Sequence, residues 1–428
     1  MENFENEIQR SYEDFIFIPT MMFKSIGYDF LYQPKPKWQD MLMRVYFFLG
    51  LASHYYIIYY LMLRIIQWDT LAGDPVTIVR YAEIFFLLLN SETKVATFLF
   101  YRKRIRELIT KLQMVFPGSD SERRYYNVNS FYWPRVIRYG VYYFCFVVLL
   151  LIFGPCLQST CIYLYQRCTI GNQAKFPYLR AYPMKVSFDS NSPLNYVFSQ
   201  ILEFTSTHFF MTFNIGTDVW IMCLSAQICM HFAYLGRQLS SYNPSEERSI
   251  EDCEFLVSVV QKHKYVIGFH KELNNIFGIL LAYNLFATAS TLCCVAFYTI
   301  VCGFNLNGVS FLSYFISCAA QFYMVCYYGQ QLIDLVGLQE KIRIRVLNKS
   351  VNENFRLQSE ALPNAAYSQT WYNGSPAYRK QLLLIMLNTD KPVVLSAKGI
   401  IIISLDTFKN MMNITYRFFA IMRRVLDD

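Results

Sequence analysis

Lysine and arginine are distributed along this chain in alternation. Twenty-seven of the 39 fall in four stretches between apolar segments, and the intervening stretches are nearly bare. The first basic stretch holds Arg10, Lys24, Lys35, Lys37 and Arg44, and a second runs from the Arg102-Lys103-Arg104 cluster to Arg138. The others lie between Arg237 and Lys271 and between Lys341 and Lys391. The stretches 67–77 and 303–310 carry no lysine or arginine, and 167–192 carries four. Basic residues stay on the cytoplasmic side of a translocated chain. The pattern therefore predicts a multi-pass membrane protein with its N-terminus inside. An odd number of spans then puts the C-terminus outside, an orientation opposite to that of a G-protein-coupled receptor.

A helix needs roughly 20 apolar residues to cross the hydrocarbon core. Seven segments qualify, at about 41–66, 75–100, 136–164, 194–218, 276–302, 309–335 and 396–424. The expected fold class is an all-α membrane protein of seven transmembrane helices with a helical cytoplasmic extension. The fourth apolar region keeps helical character to about Leu239, and a polar, helix-compatible stretch from Glu251 to Asn275 precedes the fifth. Such helices overshoot a bilayer. The expected divisions are a cytoplasmic N-terminal segment, 1–40, then six spans with their extensions, 41–335. A cytoplasmic anchor, 336–395, and a seventh span with a short outer tail, 396–428, complete the chain. The apolar segment 15–30 is too short to span and is expected to lie at the interface or re-enter.

Composition agrees. Hydrophobic residues make up 54% of the chain and charged residues 16%, where a soluble domain carries about 25% charged, and mean hydropathy is +0.22. The net charge of +8 is spread over loops facing an anionic leaflet, so membrane lipid is the expected partner and no nucleic acid is implied. The acidic opening MENFENE lacks the basic start of a cleavable signal peptide, so the first span is expected to act as its own insertion signal. The 12 cysteines include no C-x-x-C and no zinc spacing. Those within spans read as small buried hydrophobes, which leaves Cys168 and Cys302 as the pair near the outer surface. No nucleophile elbow, P-loop, metalloprotease or dinucleotide motif occurs. The chain is expected to be no enzyme and to need no cofactor.

The last span carries the most chemistry. Asp406, Lys409, Asn410, Asn413, Arg417 and Arg424 recur at three- and four-residue steps and form one stripe on an otherwise apolar helix. Polar groups at membrane depth must face other protein or water. Two readings stand: the stripe packs against neighbouring helices, or several copies of it surround a water-filled pore. Ile421 lies on the same stripe and would make an apolar constriction. Elsewhere at membrane depth, Arg80 and Glu83 are spaced to pair with each other. Glu203, His208 and Asp218 read more readily as satisfied packing residues than as a proton relay.

Aromatic residues form 18% of the chain. Many belong to interfacial belts. Others are placed by the sequence in the outer halves of different spans: Ile84 and Phe85; Phe146, Leu150 and Phe153 with Gly154; Phe209, Phe210 and Phe213; Tyr314 and Phe315. The bland reading is helix packing. The functional one is an apolar, aromatic-lined cavity for a small volatile ligand.

The run 365–424 contains Tyr367, Trp371, Tyr372, Leu383 to Met386, Lys391-Pro392, Ser404-Leu405, Phe408 and Tyr416. It resembles the C-terminal signature of insect odorant receptors. The resemblance implies an odorant-binding subunit of a tetrameric, ligand-gated, non-selective cation channel in the plasma membrane of chemosensory neurons. Such a subunit assembles with a shared co-receptor, most intersubunit contacts lying in the cytoplasmic layer. It implies that the last helix lines the pore, with gate positions at Ile421, Arg424 and Val425. It also implies an odorant pocket between the second, third, fourth and sixth spans, overlapping the aromatic cluster. The short loop at 240–252, where the co-receptor carries a long insertion, points to an odorant-specific tuning subunit. The related gustatory receptors carry Gln-Phe five residues after Thr-Tyr. Here Thr415-Tyr416 is followed by Met422-Arg423, which favours the odorant branch. A ring of four Arg424 would repel cations, so the departure implies that one or two subunits of the tetramer are this chain. A metabotropic seven-helix receptor is the alternative, and the loop charges oppose it.

Overall fold

The computed structural model describes residues 10–29, 31, 36–66, 75–131, 134–179, 192–302, 306–336, 369–388 and 393–427. Tyr367, Lys391 and Pro392 lie outside these, as does most of the anchor expected at 336–395.

The fold is almost wholly helical. In chain order come α1 (Tyr12–Ser25), α2 (Lys37–Ile66), α3 (Pro75–Phe100), α4 (Arg102–Val115), α5 (Asp120–Tyr126) and α6 (Val128–Phe131). They are followed by α7 (Pro134–Ile170), α8 (Pro193–Ser240), α9 (Ser249–Cys302), α10 (Leu306–Val336) and α11 (Pro376–Asn388). A two-stranded antiparallel hairpin, β1 (Ser396–Ala397) and β2 (Ile401–Ile402), precedes α12 (Leu405–Asp427). The first six expected spans fall within α2, α3, α7, α8, α9 and α10. The seventh is helical only from Leu405, because Lys398 (φ 52°) and Gly399 (φ 74°) turn the chain into the hairpin first.

By length and apolarity, three helices among the described residues suffice alone to cross a membrane: α2, α8 and α9. The α3–α4 pair, bent by 72°, makes a fourth if counted as one span. α12 is long enough but carries the charged stripe.

α8 is the hub. Ser192 accepts from the Asn195 amide (3.4 Å) and Pro193 occupies the first turn, a strong start signal. From Phe209 to Ala233 nearly every residue is buried, polar ones included. α1, α2, α3, α9 and α10 all pack on it. At 1.5 Å per residue, α8 spans about 72 Å and α9 about 81 Å, far beyond the hydrocarbon core of about 30 Å. Their excess carries the helical layer at the end that the basic residues assign to the cytoplasm.

In that layer α4 lies on α9. Its Ile105, Leu108, Ile109 and Leu112 are buried at helical spacing, and Arg104 grips Glu272 with two bonds of 2.7 and 3.0 Å. The Tyr242 hydroxyl donates to Asp252 (2.6 Å) beneath Tyr378, holding the α8–α9 loop to α11. Burial, with the Asp252 carboxylate beside it, pushes this phenol up to about 12, so it remains a donor at physiological pH. α1 packs on α8 through Phe15, Ile18 and Phe23, so the short segment expected at the interface is docked against the bundle. The turn after it depends on Gly27 (φ 78°), where a Cβ would also meet the Met43 carbonyl. Cys168 is an exposed free thiol, and the side chain of Cys302 lies outside the described residues.

Candidate functional site

The approach to α12 is clamped from two sides. Asn274 of α9 donates to the Val394 carbonyl (2.8 Å) and accepts from the Ser396 amide (3.2 Å), while His270 bonds the same carbonyl (3.0 Å). From α10, Gln330 accepts from the Leu405 amide (3.4 Å). Gly329 lets α10 approach the strand so closely that a Cβ there would collide with the Ile403 carbonyl.

Past this clamp α12 presents two faces. Met411 and Thr415 are buried against the bundle, and Phe408 packs against Phe322 (6.4 Å) and edge-on against Tyr323 (5.4 Å). The opposite face carries Asp406, Lys409, Asn410, Asn413, Arg417, Ile421 and Arg424, all exposed. The chain's own helices therefore do not cover the polar stripe, and Ile421 is 59% exposed among the charges. The side chain of Val425 lies outside the described residues.

The aromatic residues separate into groups. Ile84 and Phe210 come together with Leu61, Tyr81 and Leu88 in a small apolar cluster between α2, α3 and α8. Phe85 is half-buried beside Phe86 (5.7 Å). Phe209 turns to Phe47 and His54 of α2 (5.5 and 5.7 Å). Phe213 packs against Phe23 of α1 and Phe98 of α3 (5.2 and 6.4 Å), about 30 Å along α8 from Pro193. Phe209 and Phe213 also pack on each other (5.1 Å), and Phe210 stacks on His54 of α2 (6.1 Å). On α7, Phe153 meets Phe204 (5.8 Å), Leu150 is half-buried and Phe146 is exposed. A Cβ on Gly154 would meet nothing within 4 Å. On α10, Tyr314 is buried and Phe315 packs half-buried on the main core.

A feature that sequence reasoning missed lies between α3, α8, α9 and α10. The buried Lys94 ammonium donates to Asp218 (2.9 Å), to the Asn214 side chain (2.7 Å) and to the Asn214 carbonyl (2.8 Å). Asp218 also accepts from Gln321 (2.6 Å) and Asn284 (3.3 Å). Asn90 donates to Asn284 (3.0 Å). Asn90, Asn214, Asp218, Asn284 and Gln321 line a chamber of about 20 Å³, close to the room one water takes. The signal existed in the sequence as opposite charges on two spans, but their shared depth is set by how α3 and α8 are staggered. Of the other ionisable residues, His208 bonds Ser25 (3.1 Å) and Tyr46 (3.3 Å). Glu203 is buried, and the side chain of Arg80 lies outside the described residues. Among the described residues no His, Cys, Asp and Glu group could hold a metal ion.

Comparison with known proteins agrees with this architecture. The family model described as 7tm Odorant receptor matches residues 74–337 and 352–416. Odorant receptor 49a of Drosophila melanogaster is 42% identical over 98% of this chain and 99% of its own length. Odorant receptor 85f of the same fly is 32% identical over 98% and 99%. Among solved structures, the insect olfactory receptor OR5 from Machilis hrabei covers 96% of this chain and 98% of its own, with TM-score 0.65 and 13% identity. The same receptor in complex with eugenol gives 0.64 and 14%, covering 96% of this chain and 100% of its own. The fold is thus shared where sequence has largely diverged. With a family match over most of its length and two full-length relatives above 30% identity, the chain belongs to the insect odorant receptors, as an odorant-specific member.

Proposed function

We propose that this chain is the odorant-binding subunit of a heteromeric, ligand-gated, non-selective cation channel. It sits in the plasma membrane of chemosensory neurons and assembles with the shared co-receptor. The observation that carries the reading is the exposed stripe on α12. A helix with Asn413, Arg417 and Arg424 uncovered on one face is unstable against lipid. It is stable where copies of that face enclose water, with Ile421 as the narrow apolar ring beside Arg424 and Val425.

The ligand site is placed around Ile84 and Phe210, which pack together, with Phe85, Phe146, Leu150, Phe153, Gly154, Phe209, Phe213, Tyr314 and Phe315 completing its wall, and the expected occupant is a small volatile molecule.

The test is Arg424→Glu, with Arg424→Gln as its control, in channels formed with a co-receptor. Two unit charges about 4 Å apart interact by about 1 kcal/mol even in bulk water. Reversing the charge therefore should change the divalent-to-monovalent permeability ratio several-fold, with the neutral variant intermediate. Unaltered permeation at normal surface expression would overturn the pore assignment.

A further inference from the structure

Facing stretches of α7, α8 and α10 line a second cavity, of about 200 Å³. It lies apart from the Ile84–Phe210 cluster. The residues lining it include Ile137, Val141, Ile215, Val219, Met222 and Met324. Its position follows from chain direction. It touches α7 near its first turns, at the end the basic residues assign to the cytoplasm, and α8 about 33–44 Å from Pro193.

Three details make it more than a packing gap. Ser317 stands on its wall, 4% exposed, and its hydroxyl has no hydrogen-bond partner among the described residues. A buried hydroxyl without a partner is costly, so a ligand oxygen that reaches it is favoured. Gly140 lines the same space, and a Cβ there would meet nothing within 4 Å. Two methionines supply unbranched walls that repack around different shapes. On the bilayer side Val136 and Tyr143 are partly exposed, which gives a route in from lipid.

We propose that this cavity is a second ligand site, for a neutral and mainly hydrocarbon molecule of about benzyl alcohol's size bearing one hydroxyl or carbonyl group. A cavity of about 150 Å³ holds benzene, so the observed volume accommodates a ring with one or two further heavy atoms. Ser317 binds the polar atom. Two wall residues connect the occupant to the rest of the molecule. Gln321 holds Asp218 (2.6 Å) in the buried polar cluster, and Tyr323 packs edge-on against Phe408 of α12 (5.4 Å). Any effect on current through Tyr323 rests on the channel reading above; binding does not.

The experiment uses the full chain purified into phosphatidylcholine nanodiscs and no electrical recording, so it stands whether or not the chain forms a channel. A trifluoromethyl-diazirine derivative of benzyl alcohol is photolysed with the protein, and adducts are mapped by mass spectrometry. Adducts on peptides carrying Tyr143, Met222 and Met324 are expected, suppressed on the order of fivefold by excess benzyl alcohol. Ser317→Leu, which removes the hydroxyl and fills the space, should suppress them similarly. Ala320→Leu fills the space from another wall and keeps the test open if the first variant does not elute as a single species. Labelling at the Ile84–Phe210 cluster should persist in both. Absence of adducts at the cavity, or equal labelling in both filled variants, would overturn the proposal. So would suppression by oleic acid but not by benzyl alcohol, which marks an acyl-chain groove instead.

Discussion

Lys94 and Asp218 show how a residue's neighbours set its meaning. Alone, each is a charge at membrane depth, several kcal/mol uphill. Together, with Asn90, Asn214, Asn284 and Gln321, every donor of the ammonium and both carboxylate oxygens are engaged. A buried pair is weak evidence for net stability, because well-packed apolar replacements often do as well, but removing one partner strands the other. Lys94→Met or Asp218→Leu alone should therefore destabilise the protein by about 3–5 kcal/mol, and the double variant should recover much of that loss. Thermal unfolding of the purified protein measures the three variants. Additive losses in the double variant would show that the two charges do not depend on each other.

At the scale of elements, α12 is delivered by a hairpin that the apolar pattern reads as more helix. Ile400 to Ile403 are hydrophobic enough to continue a span, yet Ile400 completes the turn at Lys398-Gly399 and Ile401-Ile402 pair back onto β1, whose approach Asn274 and His270 of α9 hold. Gly329 is the contact with least slack. Gly329→Ala should force the hairpin or α10 to shift and cost about 1–3 kcal/mol, as overpacking does. Gly154→Ala is the matched control: its Cβ meets open space, and within a helix it should stabilise by about 0.5–1 kcal/mol. Equal thermal midpoints for the two would show that the close approach of α10 to Ile403 is not a constraint on this helix's position.

For the whole molecule, the overlong α8 and α9 join the membrane bundle to the layer built from α4 and α11, so orientation determines what each end meets. Gly118, between α4 and α5, and Gln173, after α7, are both exposed and lie where the loop charges assign opposite sides of the membrane. An epitope inserted at Gly118 should stain only in permeabilised cells, and one at Gln173 in intact cells. The reverse pattern would restore the metabotropic orientation.

Much of the architecture was legible because it follows from local rules. Apolar length marks helices without reference to any partner, and the three- and four-residue recurrence of Asp406, Asn413, Arg417 and Arg424 marks a face. The helical continuation of α8 to Ser240 and the polar first half of α9 were visible for the same reason. What the tertiary structure decided is which faces meet. Phe209, Phe210 and Phe213 are near neighbours in sequence, yet Phe210 joins Ile84 and Leu61, Phe209 meets Phe47 of α2 and Phe213 meets Phe23 of α1. Rotations of 100° per residue on a helix surrounded on all sides send adjacent side chains to different partners. The stagger of four helices likewise brings Lys94, Asp218, Asn284 and Gln321 to one depth, and no spacing within a single segment records that stagger.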